Sequence, residues 1–439
     1  MAKESKSTVT PRLRFPEFWE ADGWKTERMG ELYSFMRNNA LSRDKLNYEN
    51  GAVKNIHYGD IHTKFSALFD ITKECVPYIN STEELPGANS EDYCVEGDVI
   101  FADASEDTND VGKSIEIIRL NDERLLSGQH TILARQKDGA LIVGFGGHLF
   151  QSGQIRSQIQ KESQGTKVYA ISSTRLSSIE ISYPNDEAEQ QKIAACLTSL
   201  DDVIAAQGRK VEALKTWKCG LMQQLFPREG ETLPRLRFPE FHDAPEWELK
   251  LLNEVADINP KRENITDETL ISFVPMSAVS ESGYLVDPQV RLFFDVKKGY
   301  TFFRDHDIIF AKITPCFENG KAALLNELMN GVGVGSTEFH VVRARKLYFP
   351  EFLFACLYTN SFRQLGKSAM TGSAGQQRVP AEFLERYPLS LPKLAEQQKI
   401  ADCLSFFDTK ITVESEKLDA LKTHKKGLMQ KLFPSPEVD

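Results

Sequence analysis

The chain has little of what a catalyst, a membrane protein or a secreted protein displays. Its seven cysteines (Cys75, Cys94, Cys196, Cys219, Cys316, Cys356 and Cys403) are odd in number and include no Cys-x-x-Cys pair. That argues against a disulfide framework or a zinc site and favours buried thiols in a reducing cytoplasm. No apolar run approaches the roughly 20 residues that a membrane helix needs. The opening MAKESKSTVTPR is polar and charged, unlike a secretory signal. A net charge of −10 does not advertise nucleic-acid binding, although global charge says little about a local cleft.

Catalytic motifs are equally scarce. Gly112-Lys113-Ser114 ends like a phosphate-binding loop, but Asp107 stands where the first glycine is required. Gly331, Gly333 and Gly335 lack dinucleotide spacing and read as a turn. His57 and His62 bracket Asp60 with no further Cys or His to complete a metal site. No Asn-Pro-Pro-aromatic motif is present for methylating a base amino group. The adjacent Asp201 and Asp202 read as a solvated helix face.

What is there is a duplication. EQQKIAACLTSLDDVIAAQGRKVEALKTWKCGLMQQLFP, from Glu189 to Pro227, returns 207 residues later from Glu396 to Pro434 without a gap. TPRLRFPEF at Thr10–Phe18 returns as LPRLRFPEF at Leu233–Phe241, and Trp24 and Trp247 follow at the same spacing. Between arm and helix, GDVIFADAS from Gly97 is echoed by HDIIFAKIT from His306. GTKV from Gly165 matches QQRV from Gln376, which places Lys167 opposite Arg378. The borders are nearly identical and the middles have diverged, a frame suited to two recognition heads that read different things.

The repeated long segments carry apolar residues at alternating steps of three and four, a narrow heptad seam that needs a partner. Each is expected to stop at its Phe-Pro, and Asp186 with Glu189 suggests a capping box for the first. Two unrelated dimerisation helices would satisfy the seam. Antiparallel pairing within the chain would also align its polar interruptions. If paired positions sum to 632, Gln207 faces Lys425 and Lys218 faces Glu414. The fold class expected is α+β, with two globular domains separated by two long antiparallel coiled-coil helices in a pseudo-two-fold internal repeat.

The loops of both modules carry residue types used for phosphate and base contacts. Arg and Lys fork onto guanine or phosphate, while Asn and Gln pair with adenine. In the first module the candidates are Arg37, Asn38, Asn39, Arg43, Lys45, Ser105, Thr108, Asn109, Lys113 and Lys167. In the second they are Lys261, Arg262, Lys312, Asn319, Lys321, Gln376, Gln377 and Arg378. Each alone could equally be a solubilising surface residue; their weight lies in recurrence at matching places.

The frame of PRLRFPEF, tryptophan, GDVIFA or HDIIFA, EQQKIA and GLMQQLFP or GLMQKLFP resembles specificity subunits of type I restriction-modification systems over almost the whole chain. The resemblance implies target-recognition domains at 10–185 and 233–391, each reading half of a bipartite site in double-stranded DNA. It implies spacer helices at 186–227 and 392–434, which dock two modification (methyltransferase) subunits. It further implies ATP-dependent restriction subunits, and S-adenosylmethionine, ATP and Mg on the partners rather than here. The chain itself would have no catalytic residue and no metal. An assembly scaffold with duplicated protein-binding heads is the competing reading.

Overall fold

The computed structural model describes residues 9–83, 89–228, 230–373 and 375–434. Most of the polar opening segment lies outside the described residues. The chain divides into two compact units, one of residues 1–207 with 417–439 and one of residues 208–416. Both boundaries fall inside the two 39-residue helices, Glu187–Leu225 and Leu394–Leu432, so each unit owns part of each helix. No helix among the described residues is long and apolar enough to cross a membrane.

In the first unit, Lys25–Arg28 pairs antiparallel with Glu180–Tyr183 and closes the module onto its helix. The central sheet runs Tyr33–Met36, Thr131–Gln136, Val99–Ala102, Ser114–Arg119 and Leu68–Asp70, the last pair parallel. Val99–Ala102 is buried on both faces, which explains an unbroken apolar run where a one-sided strand would alternate. A second sheet pairs Leu125–Ser127 parallel to Lys54–Ile56. Trp24, Phe101, Phe145, Phe150 and Ile181 pack with Ile193, Leu197 and Leu432 of the long helices and with Phe433 just past the second.

The second unit repeats this plan. Glu248–Leu251 pairs with Pro388–Leu391. One sheet runs Ala256–Ile258, Phe339–Ala344, Asp307–Ala311 and Ala322–Leu324. In another, Leu270–Val274 lies parallel to Val332–Gly335. Trp247, Phe310, Phe352 and Leu389 pack with Leu225, Phe226, Ile400 and Leu404.

The repeated sequence motifs explain how the helices are seated. Arg14 donates to both carboxylate oxygens of Glu189 at 2.8 and 2.6 Å, and Trp24 Nε1 donates to the same group at 3.2 Å. Arg237, Trp247 and Glu396 repeat the arrangement at 2.7, 2.7 and 3.3 Å. Gln190 donates to the carbonyls of Ala140 and Pro184, each at 2.9 Å. The expected capping box is half present. Asp186 Oδ1 accepts from Ala188 N at 2.9 Å, but the Glu189 carboxylate is taken by Arg14 and Trp24.

Within the first unit the start of one helix meets the end of the other, because the Trp24 ring also lies 6.2 Å from Phe433. The second unit has Trp247 against Phe226 at 6.4 Å, next to Glu396. The helices are therefore antiparallel in both. The arms follow them: Leu13 N donates to Lys431 O and Leu236 N to Gln224 O, both at 2.9 Å.

The register expected from the seam is wrong. Lys425 pairs with Asp201 at 2.5 and 2.6 Å, and Lys218 with Asp408 at 2.5 Å, so paired positions sum to 626. Glu414 instead accepts from Lys210 at 2.8 Å. Both lysines are more covered than their acids, and Asp201 is an ion-pair partner that stays 37% exposed beside an exposed Asp202.

Candidate nucleic-acid interface

Three segments of the first module emerge side by side at one edge of its central sheet. Asn38, just past Tyr33–Met36, donates to Thr131 O at 2.7 Å. Asp103, just past Val99–Ala102, donates its backbone N–H to His130 O at 3.1 Å. His130 precedes Thr131–Gln136 with a left-handed φ of 57°. Its half-exposed ring lies 3.3 Å from Asp103 Oδ1 and edge-on to Tyr58, 5.3 Å between centroids. Burial raises the Asp103 carboxyl above its ordinary range, and His130 opposes the shift.

Many of the sequence candidates gather near this edge, most of them already engaged. Lys113 Nζ donates to His62 O at 2.7 Å, and His62 in turn meets Ala104 O at 3.1 Å. Arg43 pairs with Asp60 at 2.8 Å; burial of neighbouring His57, and then the Arg43 charge, lower the His57 pKa. Asn39 holds the loop to the second sheet through Asn55 Oδ1 and Ser127 O. Lys45 pairs with Glu83 at 2.9 Å. Ser105 and Asn109 brace the loop around Asp107, with Thr108 between them. Arg37 and Lys167 are exposed with no side-chain partner among the described residues.

The second module builds the same edge from different side chains. Lys312 N donates to Glu338 O at 2.8 Å, as Asp103 does to His130. Arg378 donates to both oxygens of Glu338 at 2.9 and 2.8 Å and holds that carboxyl below its usual range. Gln376 and Gln377 lie on the same loop, and Thr314 N donates to Gln377 O at 3.0 Å. Lys321 Nζ reaches Met276 O at 3.1 Å, the counterpart of Lys113. Asn319 donates to Glu281 at 2.9 Å. Arg262 lies over the Phe293 ring and donates to Lys297 O, beside an exposed Lys261.

A match to the type I restriction modification DNA specificity domain covers residues 21–216 and again 245–423. The chain belongs to this specificity family. Two Escherichia coli proteins, the EcoEI and EcoAI specificity subunits, are 38% and 39% identical over 264 and 215 residues. Those stretches are 57% and 47% of this chain but only 42% and 36% of those proteins. The putative MjaX specificity subunit of Methanocaldococcus jannaschii is 23% identical over 98% of this chain and 96% of its own length. Among solved structures, an S subunit from M. genitalium shares the fold with a TM-score of 0.53, at 13% identity over 98% of this chain and all of that one. A chain of a type I R-M system, studied for complex assembly and conformational transition, gives 0.55 at 16% identity over 94% and 98%.

The specificity frame also holds features that sequence reading missed. Asp98 and Asp307, the acids of GDVIFA and HDIIFA, are buried and bidentate to Arg135 and Arg343 at 2.7–2.9 Å. Their recurrence in both copies was the available signal. The expected match of Lys167 with Arg378 fails. Ile171 N donates to Asp103 O and Val379 N to Lys312 O, both at 2.8 Å, so Ala170 occupies the place of Arg378. The first module reaches the equivalent position three residues later than the string match implies, at Ile171 rather than Val168. No group of three or more His, Cys, Asp or Glu that could hold a metal occurs among the described residues.

Proposed function

We propose that this chain is the DNA-specificity subunit of a type I restriction-modification complex, each module reading one half of a bipartite site in double-stranded DNA. The observation that carries the reading is the repeated strand-end edge. One backbone frame, with matched hydrogen bonds of 3.1 and 2.8 Å at Asp103–His130 and Lys312–Glu338, presents unlike side chains. A shared scaffold with divergent tips suits two readers of different sequences. Of the 18 candidate residues, Arg37, Lys167 and Lys261 are the most available for DNA contact, whereas Lys113 is held by His62 O. Membership of the specificity family supports the reading.

The long helices would act as the spacer and dock two modification subunits, with restriction subunits joining the assembly. S-adenosylmethionine, ATP and Mg would be held by those partners, and the chain would recognise without catalysing, in the cytoplasm. A helix of 39 residues measures about 58 Å at 1.5 Å per residue. Sequencing the duplexes selected by the assembled complex should therefore yield two short half-sites separated by a non-specific gap. Inserting one heptad in both helices should lengthen the gap and leave the half-sites unchanged. Altered half-sites, or recovery of a single continuous site, would overturn the reading.

A further inference from the structure

The duplicated frame allows an internal comparison that neither module permits alone. Asp103 and Lys312 occupy the same slot. Each follows a buried strand of matched pairing (Ala102 opposite Thr131, Ala311 opposite Phe339). Each donates its N–H to the residue before the partner strand and accepts at 2.8 Å from Ile171 or Val379. His130 and Glu338 are likewise equivalent. The backbone is held constant while the side chains are exchanged in character, an acid beside an imidazole in one module and a lysine beside an acid in the other.

Each slot is also braced from behind. In the first, Tyr58 stands edge-on to His130, whose ring lies 3.3 Å from Asp103 Oδ1. In the second, Arg378 clamps both oxygens of Glu338, which leaves the half-buried Lys312 ammonium as the donor. A braced polar group at a module edge discriminates bases better than a mobile one, because a wrong base leaves it unpaired.

We propose that the pairs Asp103/His130 and Lys312/Glu338 are the specificity-determining positions that select one base in each half-site. This rests on the DNA-reading function proposed above. Lys312 supplies a donor suited to the N7 and O6 acceptors of guanine. The Asp103/His130 pair presents an acceptor, suited to a base with an exposed amino group, adenine or cytosine. Asp103 serves additionally as a positioning residue that orients the His130 ring.

The test is selection from duplexes with both half-sites randomised, using the chain assembled with its modification subunits. The variants are Asp103→Lys with His130→Glu, and Lys312→Asp with Glu338→His. Each exchange should move preference at one base of its own half-site by tenfold or more, and leave the other half-site as in the wild type. His130→Asn, which tolerates the left-handed backbone, and Lys312→Gln give the same readout where an exchange fails to assemble. Wild-type preference at every position in correctly folded variants would overturn the inference. A wild-type complex that enriches no sequence would instead bring down the DNA-reading function itself.

Discussion

Arg14 lies along Glu189 with two parallel hydrogen bonds, and both side chains are less than a tenth exposed. A buried carboxylate stripped of its cation keeps its full desolvation cost. Arg14→Ala should therefore destabilise the first unit by about 3–5 kcal/mol, and Arg237→Ala the second by a similar amount. Chemical denaturation measures both. A loss below about 1 kcal/mol would show that the arms do not secure the helix starts.

The helix register makes a second expectation. Lys218 and Asp408 should couple by about 1 kcal/mol in a double-mutant cycle, since the pair is only partly buried. Lys218 and Glu414 should couple by much less. The reverse ranking would restore the register summing to 632.

Exposure separates two of the candidate residues. Arg37→Ala should weaken binding for all sequences and lower the slope of log affinity against log salt by about 1, as expected for a phosphate contact. Lys113→Ala should act through stability, because its ammonium already binds His62 O. Its melting temperature should fall while its salt slope stays unchanged. A reduced slope without loss of stability would make Lys113 a direct contact.

Glu116 should make stability depend on pH. Burial raises its carboxyl from 4.5 to about 7, although Gly147 N donates to it at 2.6 Å. The folded state thus holds a proton that the unfolded state releases earlier. Stability should fall as pH rises from about 4.5 to 7, by on the order of 3 kcal/mol, and then level off. Glu116→Gln should flatten that part of the profile, as urea melts across the range would reveal. An unchanged profile would place the titration elsewhere.

The sequence alone determined the duplication, the two long helices and the apolar seam that each must cover. Those properties rest on local periodicity and on motif order along the chain, and periodicity needs no knowledge of distant neighbours. It even marked Glu189 and Gln190 as special, by repeating them at Glu396 and Gln397. Their role was not legible, because a buried carboxylate is explained only by the Arg14 and Trp24 that fold onto it from 175 and 165 residues away. Tertiary structure also decided the register. The seam specifies which face is apolar, whereas the register depends on which acids the lysines meet, Asp201 and Asp408. The recognition edges were the least readable part. Asp103 and His130 are 27 residues apart, and only the pairing of Val99–Ala102 with Thr131–Gln136 brings them together. Residue type could nominate Lys312 and Arg378, but it could not pair Lys312 with Asp103, since that equivalence lives in backbone hydrogen bonds rather than in letters.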